Sequence, residues 1–249
     1  MAQEAATRTV DPAEIERFSR LAETWWDPAG KMAPLHRLNP ARLQFLRDRI
    51  CRHWRRDPLG RRPLEKLRVL DIGCGGGLIS EPMTRLGAKV TGVDAAERNV
   101  AVARLHAQHM QLDIDYRHST AEALQAAGES FDVVLALEVV EHVADLGLFL
   151  QCCGAMVRPG GLLVLATLNR TAKAFALAIV GAEYVLGWLP RGTHDWRKFV
   201  KPSEAAQGLR GAGLLPQDVA GVVYDLRTGS WRLSSRDIDV NYMMVATRA

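Results

Sequence analysis

The periodicity of apolar positions changes character twice along this chain. Residues 11–55 carry a helical pattern, with Ile15, Phe18 and Leu21–Ala22 recurring at helix spacing, as do Leu43, Leu46 and Ile50. Pro28, Pro34 and Pro40 predict that this stretch is cut into short pieces, and Arg56 to Pro63 reads as a turn-rich connection. Strand and helix patterns then alternate. Short apolar runs predict strands near Arg68–Ile72, Lys89–Val93, Ile114–His118, Val133–Leu137 and Leu162–Ala166. Helical patterns lie between them near Leu78–Leu86, Glu97–Met110 and Leu146–Val157. Such alternation predicts an α/β fold with a doubly wound, Rossmann-like parallel sheet covered on both faces. Right-handed crossovers place its ligand crevice at the carboxyl ends of the strands. The chain closes with Leu214–Val223 and Asp239–Thr247, joined by the turn-rich stretch Tyr224 to Ser235, which predicts an antiparallel hairpin at the sheet edge.

The densest chemical signal sits where the first strand ends. Val69-Leu70-Asp71-Ile72 runs into Gly73-Cys74-Gly75-Gly76-Gly77, and a helix-like run starts at Leu78. A strand, a glycine loop and a helix start let a ligand approach backbone N–H groups. The dinucleotide pattern G-x-G-x-x-G needs a third glycine where Leu78 stands, which disfavours a nicotinamide oxidoreductase. The pattern here is D-x-G-x-G-x-G, which suits a nucleoside without a pyrophosphate, since glycines permit positive φ and leave no Cβ in the way. About twenty residues later Asp94 closes the second strand, where an acid accepts hydrogen bonds from ribose hydroxyls. Capping of the following helix is the plainer role for such an acid.

At the end of the fourth strand, Glu138, Glu141 and His142 are spaced i, i+3, i+4. On one helical turn the three would share a face. Two carboxylates and an imidazole suit Mg²⁺ or a similar divalent cation. The same spacing equally fits a helix-capping acid beside a histidine that shapes a pocket or acts as a general base. Ser119-Thr120-Ala121-Glu122, after the third strand, is open between a ligand contact and a helix cap.

Composition narrows the class. The chain has 249 residues, 48% of them hydrophobic, enough for a substantial core. The first dozen residues lack the apolar segment of a secretory signal, and no run reaches the roughly 18–20 apolar residues of a spanning helix. Cys51, Cys74, Cys152 and Cys153 have neither zinc nor disulfide-framework spacing, which fits a reducing cytosol. The net charge of +4 is uneven: Arg37 to Arg68 holds 11 Lys/Arg against 3 Asp/Glu. Arg52, Arg55, Arg56, Arg61 and Arg62 could meet an anionic surface or form a solvated face. Trp54 lies among them without any RNA-binding signature, so nucleic acid is not an expected partner.

Several further segments carry a family resemblance: Trp25-Trp26-Asp27, Pro34-Leu35-His36-Arg37-Leu38-Asn39-Pro40, Glu141-His142-Val143, Thr167-Leu168-Asn169-Arg170, Gly181-Ala182-Glu183-Tyr184 and Gly192-Thr193-His194-Asp195. With the glycine loop, they resemble the ubiquinone-biosynthesis O-methyltransferases, within the class I S-adenosylmethionine-dependent methyltransferases. The resemblance runs from about residue 15 to Met244. It implies a seven-stranded sheet with an antiparallel last strand. The implied organisation is a helical extension over 1–66, a cofactor-binding core over 67–168, an apolar insertion over 169–200, and a C-terminal helix and hairpin over 201–249. It implies S-adenosylmethionine as donor, held by Arg42 at its carboxylate, Asp71 at its ammonium group, Gly73 and Gly75 along the loop, Asp94 at the ribose and Leu137 through its backbone. It makes Glu138, Glu141 and His142 the Mg²⁺ ligands and the catalytic group. The implied acceptors are polyprenylated phenols and quinols, and association with other enzymes of that pathway is a further expectation.

One insertion sets the chain apart from a minimal methyltransferase. Ala174 to Ala182 is nine apolar residues, Tyr184 to Leu189 adds more, and Arg170, Lys173, Arg191, Arg197 and Lys198 flank them. The segment 171–193 is read either as a lid over the site or as a contact with an anionic membrane surface, which gives a cytoplasmic protein held peripherally on the inner membrane. His194 and Asp195, after a Gly-Thr turn, read as loop anchors. Trp25 and Trp26 either line a substrate channel or anchor the N-terminal helix. Rival readings are another small-molecule or RNA methyltransferase of this fold, and a non-catalytic scaffold that retains the donor site.

Overall fold

The computed structural model describes residues 9–177, 179, 195–225 and 227–249. The N-terminal part forms α1 (Pro12–Leu21), a single 3-10 turn (Ala22–Thr24) and α2 (Ala33–His53). The core then runs β1 (Arg68–Ile72), α3 (Ser80–Arg85), β2 (Lys89–Asp94), α4 (Glu97–His109), β3 (Asp115–His118), α5 (Ala121–Ala126), β4 (Phe131–Leu137), α6 (Leu146–Met156) and β5 (Val157–Leu168). The short α7 (Ala172–Ala174), α8 (Pro202–Gly211), β6 (Leu214–Asp225), β7 (Ser230–Ser234) and β8 (Asn241–Arg248) follow. Asp11, Thr120 and Asp145 cap α1, α5 and α6 through their side chains, each satisfying an otherwise unpaired N–H.

The strands make one sheet in the order β3-β2-β1-β4-β5-β8-β6-β7. β1 to β5 are parallel, and β8 lies antiparallel between β5 and β6. The last strand is therefore interior to the sheet, and the hairpin predicted at the edge from β6 and β8 is extended outward by β7. The sheet has eight strands, not seven. β7 falls inside the stretch expected to be turns, because Trp231 and Leu233 find apolar cover on α2 and the neighbouring core.

Alternation along the strands divides the core between two faces. Leu70, Ile72, Val134, Ala136, Leu163 and Leu165 pack against α6 and α8 through Phe149, Leu150, Cys153 and Leu209. Val69, Val133, Leu135, Val164 and Val245 face the other way, onto Phe45, Leu46, Ile50 and Met83 of α2 and α3. All four cysteines are buried and free.

The N-terminal helix departs from expectation. α2 continues through Pro40 for 21 residues instead of breaking there. An interior proline removes one helical hydrogen bond and crowds the preceding turn. Burial of Ala41, Phe45, Leu46 and Ile50 against the sheet offsets that cost. Pro34 does start a helix, at its first turn, where no N–H is lost. Phe45 is fully buried. Phe45→Ala should therefore cost about 3–5 kcal/mol by chemical denaturation; a loss under about 1 kcal/mol would mean that α2 does not pack on the sheet as described.

Candidate active site

The strand order reverses between β1 and β4, which opens a crevice at their carboxyl ends. Gly73, Gly75 and Gly77 take φ of +69°, +54° and +91° there, a conformation that side-chain-bearing residues rarely adopt. Space forbids side chains as well. A Cβ on Gly73 would run into Val139, and one on Gly75 or Gly76 into the Trp25 indole.

The loop is held from two sides. Its N–H groups at Gly73 and Cys74 donate to the Val93 carbonyl at 2.7 and 3.0 Å, and Gly75 N–H donates to Asp94 Oδ2 at 2.9 Å. The other Asp94 oxygen accepts from Ala96 N–H at 2.8 Å and from Asn99 Nδ2 at 3.2 Å. Asp94 thus joins loop and helix cap while still lining the cavity. Trp25 donates from Nε1 to Asn99 Oδ1 at 2.9 Å, and Trp26 donates to the Gly76 carbonyl at 2.9 Å. Both tryptophans therefore anchor the N-terminal region to the loop, and Trp25 also lines the cavity. Asn99, the buried link between Asp94 and Trp25, was not singled out from the sequence. Its one local signal is an amide in the first turn of α4, five residues after Asp94.

Asp71 is buried and accepts from Ser80 Oγ at 2.6 Å. Burial raises its carboxyl to about 6, with a further push from the charge of Asp94, against the Ser80 hydrogen bond and Arg42. Burial raises Asp94 as well. Arg42 is buried on α2, donates to Asn39 Oδ1 at 3.4 Å and forms an ion pair with Glu138. Glu138 sits at φ +54°, a strained setting for a non-glycine residue. Its N–H still donates to the Ala166 carbonyl at 2.9 Å, which extends the β4–β5 ladder past Leu137.

The segment after β4 is a turn, not a helix, closed by His142 N–H donating to the Val139 carbonyl at 2.9 Å. Glu138, Glu141 and His142 line one cavity but do not share a helical face, because the chain leaves β4 through a left-handed residue at Glu138 and then a tight turn. Glu138 pairs with Arg42, Glu141 Oε2 accepts from Thr167 Oγ1 at 2.9 Å, and His142 Nδ1 lies 3.3 Å from both Glu14 Oε2 and Arg17 Nη2. Among the described residues, no three His, Cys, Asp or Glu side chains already stand as a metal-ligand group. One oxygen is left over. Glu141 Oε1 is buried without a hydrogen-bond partner. Burial, and then the charge of Glu138, hold Glu141 well above the usual carboxylate range. That spare oxygen, in a set of two carboxylates and an imidazole, fits a proton or a divalent cation.

The helix α1 completes this end of the site, a contribution the sequence did not reveal. Glu14, half-buried, faces His142, and Phe18 meets the imidazole edge-on at 5.1 Å. Burial raises the Glu14 carboxyl, but the hydrogen bond and charge of His142, with Arg17, leave it below its ordinary value. Thr120 caps α5 through its side chain, and both it and Ser119 line the cavity. Arg56 spends its guanidinium on the carbonyls of Pro63 and Glu65, and Arg62 pairs with Glu65. Asp195 caps the turn Trp196–Lys198, as a loop anchor should; His194 and most of the 171–193 insertion lie outside the described residues.

The whole cavity encloses about 850 Å³ and runs from Asp94 and Ser119 past Asp71, Arg42 and Glu141 to Tyr224 and Trp231. A methyltransferase-domain family matches residues 70–165, which contain the loop, Asp94 and the acidic turn. Solved structures share the architecture. Magnesium protoporphyrin IX methyltransferase from Synechocystis PCC 6803, with bound SAH, superposes with a TM-score of 0.62 at 18% identity over 94% of each chain. A possible histamine N-methyltransferase from Thermotoga maritima gives 0.64 at 20% identity, over 95% of this chain and 99% of that one. Fold and site together define an S-adenosylmethionine-dependent methyltransferase of class I.

The sequence relatives are far nearer. A protein of Parvibaculum lavamentivorans is 58% identical over 248 residues, covering 100% of this chain and 98% of its own length. One of Brucella ovis is 57% identical over 245 residues, covering 98% of each. Both are ubiquinone biosynthesis O-methyltransferases, and this chain belongs to that family.

The raised pKa of Asp71 fixes a sign. Its folded value of about 6 lies above the ordinary 3.8, so the unliganded protein loses stability as pH rises between these values. A donor ammonium bound beside this carboxylate would reverse the preference and favour ionised Asp71. Donor affinity by calorimetry should therefore rise with pH through about 6 and then level off, with proton release on the acid side. A flat profile in wild type, matched by Asp71→Asn, would remove this carboxylate from donor binding.

Proposed function

We propose that the chain methylates phenolic oxygens of polyprenylated ring intermediates of ubiquinone synthesis, namely 2-polyprenyl-6-hydroxyphenol and 3-demethylubiquinol. The observation that carries this reading is one continuous cavity joining a glycine-loop nucleoside cradle, an acid–imidazole cluster and an apolar wall. The fold and the full-length relatives support the donor, and the names of those relatives support the acceptor.

Bound S-adenosylmethionine supplies a methyl group on a positively charged sulfur. Asp94 accepts from its ribose hydroxyls, Asp71 takes its ammonium group, and Gly73, Gly75 and the Leu137 backbone line its length. Arg42 takes its carboxylate. As folded, Arg42 and Glu138 neutralise each other, so a donor carboxylate at Arg42 releases Glu138. The released carboxylate, Glu141 Oε1 and His142 are then the groups that would hold a divalent cation. The charge of such a cation lowers the pKa of a phenol beside it, which is otherwise about 10. Displacement at the methyl also needs a dry, aligned site. Ile15, Phe18, Val139 and Phe149 give the cavity apolar wall alongside the acid cluster.

A second reading has His142 accepting the phenolic proton unaided, because it is the one imidazole among the described cavity-lining residues. Transfer of a labelled methyl to a short-chain demethylubiquinol decides both matters. Turnover is expected, with loss on chelation and recovery with Mg²⁺. Full activity after chelation would leave His142 as the base, and absence of transfer would overturn the function.

No described helix is long and apolar enough to cross a membrane. The exposed Phe175 and Leu177 support membrane contact by the 171–193 segment. Deletion of Phe175–Trp188 should abolish flotation with liposomes containing anionic lipid. Equal flotation of the deleted and intact proteins would remove that role.

A further inference from the structure

The cavity is longer than its donor end requires, and its far end has no assigned role. β8 is antiparallel to both β5 and β6, so β6 runs parallel to β1–β5. The carboxyl end of β6, Val222 to Asp225, therefore lies at the same edge of the sheet as Gly73, Asp94 and Glu138. The order β1-β4-β5-β8-β6 sets it four strands away from β1, roughly 19 Å at the usual strand spacing. A ligand held at β1, β2 and β4 leaves this half of the crevice open.

Its chemistry is that of a hydrocarbon site. Leu35 and Leu38 of α2, Val222, Tyr224 and Trp231 of the β6–β7 hairpin, and Val240 all line the cavity, and Leu38 shares a hydrophobic cluster with Val222 and Trp231. Asn241, Lys173 and Asp237, which also line the cavity, are already engaged. Asn241 exchanges hydrogen bonds with Val222, donating to its carbonyl at 3.0 Å and accepting from its N–H at 2.8 Å. Lys173 pairs with Asp237 at 3.0 Å and with Asp239 at 3.2 Å. Groups so engaged offer little to a polar ligand and do not resist an apolar one. Tyr224 and Trp231 pack edge to face with centroids 5.3 Å apart, yet Tyr224 remains 43% exposed. An aromatic pair that lines a cavity and stays partly open has area left to cover.

We infer that the β6–β7 hairpin, through Tyr224 and Trp231 with Leu38 of α2, is the subsite for the polyprenyl tail of the acceptor and sets how strongly the tail contributes to recognition. The inference deepens the proposed function and rests on its acceptor. The ring then sits at the acid cluster after β4, and the tail leaves across the ends of β5, β8 and β6.

The test compares two acceptors, one demethylubiquinol with a three-isoprene tail and one with a methyl group in its place. In Tyr224→Ala and Trp231→Leu, the preference for the tailed acceptor in kcat/KM should fall on the order of tenfold, mostly through KM. An unchanged preference overturns the subsite. An equal fall for both acceptors also overturns it, since the hairpin would then serve the ring or the fold. Equilibrium dialysis of labelled farnesol, which needs no turnover, separates this inference from the function itself. Weaker farnesol binding by the variants, with donor affinity intact, supports the subsite whatever the acceptor ring. Farnesol binding that equals wild type overturns it even if methyl transfer to demethylubiquinol is confirmed.

Discussion

The protein is organised around a stretch of backbone that has no room for side chains. Between β1 and α3 the chain turns through three positive-φ glycines, with Val139 beneath Gly73 and the Trp25 indole over Gly75 and Gly76. Such a turn gains nothing from its own packing, so other parts must hold it. Asp94 does so from β2, with one oxygen on Gly75 and the other on the start of α4. Trp25 and Trp26 do so from the N-terminal region. The acid that a ribose would use is thus the same acid that shapes the loop, so the cradle is pre-formed.

Charge is handled in the opposite way at the acid cluster. There the buried groups are only partly matched: Arg42 with Glu138, Thr167 with Glu141, Glu14 with His142, and one Glu141 oxygen with nothing. Buried carboxylates without full partners are costly, and such costs concentrate where ligands complete the set. The left-handed backbone at Glu138 belongs to the same economy, since it turns that carboxylate off the end of β4 while its N–H stays in the ladder. A rigid loop and an under-satisfied acid cluster in one cavity suit a reaction that fixes one reactant and tunes the other.

The N-terminal 53 residues are more than an extension. α1 supplies Glu14 and Phe18 to the imidazole, the following turn supplies both tryptophans to the loop, and α2 supplies Arg42 to Glu138 and Leu38 to the apolar wall. The same region covers one face of the sheet through Phe45, Leu46 and Ile50, so the site and the core share this support.

The sequence by itself determined the parallel sheet, the glycine loop after β1 and the family. Short continuous apolar runs located β1 to β5 within a few residues, because strands buried on both faces are written locally in β-branched and leucine-rich runs. The glycine pattern and Asp94 were legible because each answers a backbone constraint within its own neighbourhood. Pairings between distant segments were decided only by the tertiary structure. Nothing near Glu14 points to His142, nothing near Pro40 shows that burial of Phe45 and Ile50 carries the helix through it, and a polar stretch became β7 once α2 offered Trp231 a surface. The acid spacing 138–141–142 would share a face on a helical turn, whereas the chain leaves β4 through a left-handed residue at Glu138 and closes a tight turn at His142. Local propensity is a sum over neighbours in sequence, but a buried charge or an edge strand takes its stability from residues that are neighbours only after folding.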